Sequence, residues 1–260
     1  MKRFSQIAAV AVCILTAGAM SAAALDMSNE TCTISASEHA GEFRLSLGDD
    51  SCSEGRHCGS FSTDSMKRLS GITLQDLARD GAQLTAVLDA EAGRFTCAGT
   101  VHDAALRGTS TFTPHPEFVS RMAEIGFTGL DNDKLQTFTF LDIDSAWAKS
   151  LKDTGIAGMT TDNLISLHIF KVDKAYVAEL SALGYGKPDA DKLVALKVQG
   201  VNAEEVRQIR DLGYHPTLDE LIQIRIFHIT PEFIRSMKAR GFNDLTIAKL
   251  VQIKIFKLDE

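Results

Sequence analysis

A glycine that recurs at a fixed interval restricts this chain more than any other feature. Gly126, Gly155, Gly184, Gly213 and Gly241 lie 29, 29, 29 and 28 residues apart. Eight residues before each stands Phe118, Trp147, Tyr176, Glu205 or Phe233, and four before stands Met122, Leu151, Leu180, Ile209 or Met237. With Val119, Ala148, Val177, Val206 and Ile234 between them, these offsets put apolar residues on one helical face. Glycine then ends the helix, because it enters the left-handed conformation without a steric penalty. A second helix follows in each period, anchored by Leu135, Leu164, Leu193, Leu221 or Leu250, with Asp131, Thr160, Asp189, Thr217 or Thr246 four residues earlier. Those five side chains suit N-caps, whose oxygens accept from otherwise unpaired first-turn amides. The first helices are introduced likewise by Asp144, Asp173, Asn202 and Thr230, with Pro231 at the favoured first position and His115 as a weaker cap.

The period therefore predicts five helix-turn-helix units over residues 113–260. Such units cannot bury their apolar faces alone, so they should stack into an α-solenoid. The ends of the second helices stay open to two readings. "LHIFKV", "LKVQGV", "IRIFHI" and "IKIFKL" are rich in β-branched residues and alternate, so they fit a helix end or an extended segment. Leu258-Asp259-Glu260 matches the start of a sixth unit, which leaves a terminal apolar face suited to self-association with another chain.

Residues 25–112 carry a different period. "TCTIS", "EFRLSL", "QLTAVLD", "RFTCAGT" and "LRGTSTFT" each alternate with period two and read as strands. Gly48-Asp49-Asp50, Ala92-Gly93 and Arg107-Gly108 supply turn chemistry between or beside them. "GITLQDLARDG", 71–81, has Leu74 and Leu77 at helical spacing after Thr73 as N-cap and predicts a short helix across the sheet. The fold class is α+β: a small β-rich N-terminal domain followed by a helical repeat array.

Residues 1–24 have the form of a Sec-type signal: Lys2 and Arg3, an apolar stretch from Ile7 to Ala19, then Ala22-Ala23-Ala24. The apolar stretch falls short of the roughly 20 residues needed to span a bilayer, and Val12 before Cys13 argues against a lipoprotein. No later segment is long and apolar enough to span. Periplasmic or secreted localisation is the expectation. Removal of Cys13 with the signal leaves Cys32, Cys52, Cys58 and Cys97, an even set confined to the first domain, which reads as two disulfides in an oxidising compartment. Four cysteines allow three pairings. The favoured one joins Cys52 to Cys58 in a short loop and ties two strands through Cys32 and Cys97. Zinc is disfavoured because Cys52 and Cys58 are too far apart for a zinc knuckle.

The net charge of −7, made more acidic by loss of Lys2 and Arg3, argues against nucleic acid as a partner. With 45% hydrophobic and 23% charged residues the chain is globular in composition. Metalloprotease, serine hydrolase, P-loop and dinucleotide motifs are absent, so neither an enzyme nor a cofactor is expected. His39, His57, His102, His115, His168, His215 and His228 lack ligand spacing. Asp131 with Asp133 and Asp189 with Asp191 could suggest calcium, but helix capping already accounts for them.

Two columns are candidate binding residues. Four positions after each second-helix leucine stand Thr139, His168, Lys197, Arg225 and Lys254, a largely basic line beside helix C-termini. Near it, Phe170, Phe227 and Phe256 occupy positions where Leu141 and Gln199 stand in other units, a mixture that fits partial exposure. Together they suit an acidic protein partner.

The run "LRGTSTFTPHPEFVSRMAEIGF", with "LIQIRIFHITPEFIRSMKARGF" further on, resembles the extracytoplasmic repeat region of bacterial membrane metallopeptidases of the beta-lactam-sensor class and of stand-alone secreted relatives of that region. The likeness spans about residues 82–258 and rests on Pro116-Glu117-Phe118, Pro231-Glu232-Phe233 and the glycine-aromatic stops. The chain lacks that family's membrane helices and zinc-protease motif, so peptidase activity does not carry over. The resemblance implies a bacterial, envelope-facing sensing or interaction module. The expectation is a noncatalytic exported protein that binds a protein partner in the envelope. The alternative is a sensor that takes a small molecule or cell-wall fragment in a pocket where the two regions meet.

Overall fold

In a computed structural model the protein is described over residues 31–39, 41–48, 59–61 and 64–258. The signal segment 1–24 with Cys13, and the pair Cys52 and Cys58, lie outside the described residues. Six strands, β1 (Thr31–Ala36), β2 (Phe43–Leu47), β3 (Gly59–Phe61), β4 (Gln83–Asp89), β5 (Gly93–His102) and β6 (Ala105–Pro114), form one antiparallel sheet in the order β3-β2-β1-β6-β5-β4. Their period-two pattern places Ile34, Leu45, Ala86, Leu88, Phe95, Cys97 and Leu106 on one buried face.

Cys32 and Cys97 are joined, as the sequence favoured. They sit on β1 and β5, which flank β6, and their Cα atoms are 6.1 Å apart. Next-nearest strands in a flat sheet lie roughly 9–10 Å apart, so the sheet folds sharply about β6. Gly108, which is in register with both Cys32 and Gly99, permits this. A Cβ on Gly99 or Gly108 would run into the backbone carbonyl of the facing strand.

Three local expectations change. Arg107-Gly108 is not a turn: both residues lie inside β6. The β5–β6 hairpin turns instead at Asp103 and Ala104, both with positive φ (51° and 57°), the geometry of a two-residue primed turn. The helix expected over 71–81 is reduced to one 3₁₀ turn, Asp76–Ala78. Its N-cap is Gln75, without a side-chain cap bond, rather than Thr73; Thr73 instead donates from its amide and hydroxyl to Asp76 Oδ2 at 2.9 and 2.7 Å, and its hydroxyl accepts from the Asp76 amide at 3.3 Å. Leu77 reaches the core from the turn and Ile72 from the extended residues before it, while Leu74 stays 38% exposed, and left-handed Gly71 and Gly81 bound the segment.

Among the described residues ten helices follow: α1 (Pro116–Glu124), α2 (Asn132–Leu141), α3 (Ser145–Lys152), α4 (Thr161–Ile169), α5 (Lys174–Ala182), α6 (Ala190–Val198), α7 (Ala203–Asp211), α8 (Leu218–Ile226), α9 (Pro231–Ala239) and α10 (Ile247–Ile255). Asp131, Asp144, Thr160, Asp173, Asp189, Asn202, Thr217, Thr230 and Thr246 each accept a hydrogen bond from a first-turn amide, whereas His115 makes no side-chain cap. Gly126, Gly155, Gly184, Gly213 and Gly241 all have φ between 76° and 90°.

The open reading of the second helices resolves to helix. α4, α6, α8 and α10 run through the alternating segments and stop at residues of positive φ: Lys171, Gly200, His228 and Lys257, with Asp142 doing the same for α2. The next amide then returns to a carbonyl five residues back, as Ile143 to Phe138 (2.9 Å), Val172 to Leu167 (2.8 Å) and Ile229 to Ile224 (2.9 Å). The even-numbered helices pack in succession, α2 on α4, α4 on α6, α6 on α8 and α8 on α10.

The helical core is continuous with that of the sheet. Phe140 of α2 sits 2% exposed beneath the sheet, edge-on to Phe95 at 5.1 Å, while Ala92 and Phe112 pack with Phe118 and Met122. Glu91, in the β4–β5 turn, ties this seam. Its carboxylate accepts from Arg121 Nε (2.8 Å) and from the Ser145 amide (2.7 Å) and hydroxyl (2.6 Å).

Candidate interaction surface

The basic column is present, but its members are turned onto the first helix of their own units. Lys197 Nζ stands 4.1 Å from the ring centre of Tyr176, and Lys254 Nζ 4.0 Å from that of Phe233. In the fourth unit the aromatic slot holds Glu205, and Arg225 meets it with Nη1 at 2.8 Å while Nε donates to the Gln199 carbonyl at 2.9 Å. Cation–π contact is exchanged there for an ion pair in the same place. His168 lies edge-on to Trp147 at 4.9 Å. Its burial outweighs the raising effects of the Leu141 backbone, Asp142 and Asp144 and holds the imidazole below its ordinary value, so it is neutral at pH 7. Thr139 is fully buried and donates to the Leu135 carbonyl at 2.9 Å. The expected line of cations is thus half-buried, and four of its five members, His168, Lys197, Arg225 and Lys254, meet the aromatic or acidic slot eight residues before the glycine.

Phe170 and Phe256 are exposed, at 40% and 68%, whereas Phe227 is only partly exposed and packs against the core. Sequence reasoning missed the more regular feature beside them. Ile169, Val198, Ile226 and Ile255 occupy one slot of the period, in the last turn of α4, α6, α8 and α10, and each is about half exposed, from 48% to 51%. One helical turn earlier on the same face stand Ile165, Val194, Ile222 and Val251. The first unit's residue in the exposed slot is Phe140, and the chain's own sheet covers it. The signal was the very runs that looked strand-like. In "LHIF", Leu167 faces the core and Ile169, two residues on and so on the opposite side of the helix, faces outward. A helix apolar on both sides alternates like a strand.

At the other end of the same helices the surface is polar. Asp131 and Asp189 accept from the Lys134 and Lys192 amides at 2.9 and 2.7 Å. Asn163 Nδ2 donates to Asp191 at 2.7 Å, Lys134 pairs with Asp162 at 3.4 Å and Lys192 with Asp219, so neighbouring even helices are stitched at their N-termini. Among the described residues no group of three or more His, Cys, Asp or Glu side chains is placed to hold a metal ion.

The seam between sheet and helices is filled by Ala92, Phe112, Phe118, Met122 and the Glu91 hydrogen bonds. Elsewhere among the described residues lie hollows of two kinds. One, of about 310 Å³, is a shallow depression on β4 and β5 lined by Gln83, Leu84, Thr85, Ala98 and Gly99. The other is a packing gap between α7 and α8 with no room for a water molecule, where Glu205 replaces the aromatic ring of other units. No helix among the described residues is long and apolar enough to cross a membrane.

Comparison of the chain with models of protein families, with curated proteins and with solved structures returns no match.

Proposed function

We propose that this chain is a noncatalytic, exported interaction module of the bacterial envelope, its ten helices forming a stacked repeat array that binds a protein partner. One observation carries the reading: the slot held by Phe140 in the first unit is apolar in every unit, and its later members Ile169, Val198, Ile226 and Ile255 are half exposed beyond the point where the sheet covers Phe140. Soluble proteins seldom leave such rows bare unless something docks on them. Lys197 and Lys254, half-buried over Tyr176 and Phe233, each stand one residue before a member of the row, whereas Arg225 is already paired with Glu205, so an apolar ridge with a weakly acidic flank is the partner chemistry that fits. The Cys32–Cys97 bridge supports export, since disulfides persist in oxidising compartments. The resemblance to the repeat region of sensor-type metallopeptidases supports an envelope role without the peptidase. A ligand pocket at the junction is disfavoured because that seam is filled by packed side chains.

The test is affinity capture from an envelope fraction with the mature protein as bait, in three forms: unaltered, Val198→Lys with Ile226→Lys, and Thr109→Lys on the outward face of β6. The expected result is one protein recovered by the first and third and reduced at least tenfold with the second, all three baits giving the same circular dichroism. Equal recovery by all three would remove the row as the binding surface.

A further inference from the structure

From the second unit to the fifth the column holds His168, Lys197, Arg225 and Lys254, and of these His168 alone changes charge near neutral pH. Arg225 shows what a residue in this slot does. It meets Glu205 of its own unit, and its Nε donates at 2.9 Å to the carbonyl of Gln199, just past the end of the preceding even helix α6. His168 makes the same two contacts with a ring. It donates to the carbonyl of Leu141, the last residue of α2, and lies edge-on to Trp147 of α3 at 4.9 Å with the ring planes at 84°. It therefore pins the second unit to the first, the unit that the sheet covers.

The charged groups that act on this ring are Asp142 and Asp144, in the link between α2 and α3. Each has its own partner: Asp142 pairs with Arg68 at 2.8 Å, and Asp144 accepts from the Trp147 amide at 2.6 Å. With the α2 C-terminus and the indole face they favour a cation. The half-buried position opposes one, and it is the strongest of these influences. We infer that this joint is acid-sensitive: a proton on His168 favours the arrangement in which the ring leaves Leu141 and Trp147 for water, so the second unit loosens from the first as pH falls. The proton comes from solvent and is taken by the ring nitrogen that does not donate to Leu141. Unfolded or opened, the ring binds it more readily than packed. The loss of stability therefore begins as pH falls through the ordinary histidine value of about 6.5 and levels off below the folded one. Lys197, Arg225 and Lys254 keep their charge throughout that range, so the contact at His168 responds alone among the four. The inference does not depend on the partner proposed above, since its readout lies inside the chain.

Trp147 is the single tryptophan of the sequence and reports the joint directly. Acrylamide quenching of its fluorescence in the mature protein tests the inference between pH ~7.5 and ~5, where lysine and arginine do not titrate. The quenching constant should rise about twofold on acidification, with a midpoint below the ordinary histidine value of about 6.5. It should stay flat in His168→Gln, and in His168→Lys, which places in the second unit the residue that the third and fifth carry. Should both variants fold poorly, NMR titration of the His168 ring in the unaltered protein should give the same midpoint as the quenching. A constant that does not change with pH in the unaltered protein, a rise that survives in a folded His168 variant, or a ring that titrates away from the quenching midpoint would each overturn the proposal.

Discussion

Helices α2 and α10 occupy the same slot of one sequence period and live in opposite surroundings. Phe140, in the last turn of α2, is 2% exposed under the sheet, and Ile255, its counterpart in α10, is 51% exposed. Phe127 and Ile143, at the edges of the first unit, are 2% and 1% exposed, whereas Phe242 and Leu258 in the fifth are 49% and 65%. The apolar slot belongs to the period, but its burial belongs to whatever lies across it. A helix pair presents three apolar faces, one to its own partner helix, one to the next unit and one to whatever covers the even helices. A single unit fills only the first by itself.

The largest effect should come from contrasting the two ends directly. Phe140→Ala should lower stability by about 3–5 kcal/mol, through lost burial and a cavity under the sheet, while Ile255→Ala should change it by less than about 0.5 kcal/mol. Urea denaturation of the two variants is the measurement, and similar losses would break the comparison. Next in size is the disulfide. Cys32→Ser with Cys97→Ser should cost about 2–4 kcal/mol, because the bridge closes a long loop in the unfolded chain. Hydrogen exchange should show faster opening of β1, β5 and β6, with little change in α5 to α10; uniform acceleration would mean that the two ends unfold as one body.

The seam offers a third, pH-dependent contrast. Desolvation raises the Glu91 carboxyl, but hydrogen bonds from Ser145 and Arg121 outweigh it and hold the group below its ordinary value. A depressed carboxylate contributes stability above its unfolded value, and that contribution is lost as pH falls through the folded one. Glu91→Gln should therefore cost about 1–2 kcal/mol near pH 7 and progressively less below pH ~4.5. A gap between variant and parent that stays constant from neutral to acid pH would remove the carboxylate from the seam. The smallest effects separate the two kinds of helix stop. Gly184, with open space around its Cβ position and φ of 81°, should lose about 1–2 kcal/mol on change to valine. Lys171, at φ 54°, should gain up to about 1 kcal/mol on change to glycine. Thermal melts with the signs reversed would show that the left-handed residues are not what ends these helices.

Much of the helical half was legible because its signals are local. Caps such as Asp173 and Thr217, glycines at positive φ and the leucine anchors each act within one turn of backbone, so their spacing reports the elements directly. The stops of the even helices were harder to read. Four of the five use Asp142, Lys171, His228 and Lys257, residues with no intrinsic preference as strong as glycine's for the left-handed region, each followed by an apolar residue, Ile143, Val172, Ile229 or Leu258, whose amide returns to the helix; the first three of these are buried and Leu258 is exposed. Gly200, in register with them, was the one visible clue. The candidate surface was legible in part: Phe170 and Phe256 are exposed as expected, but the cations beside them are engaged by rings and by Glu205, and the half-exposed row lay hidden in segments that looked like strands.

The sequence by itself determined the α+β class, the alternation of ten helices, nine of them capped by a side chain, and the cystine that ties β1 to β5, because periodicity, capping and cysteine chemistry are properties of short stretches. Tertiary structure alone decided which apolar slots face solvent. Burial depends on what packs across a residue, and the sheet that folds over Phe140 is brought there by the sharp bend about β6 and by Glu91, contacts between segments distant in the chain. The same dependence turned Lys197, Arg225 and Lys254 inward, since a cation beside an aromatic face or a carboxylate gains more from that contact than from water when the partner is already fixed by the helix below.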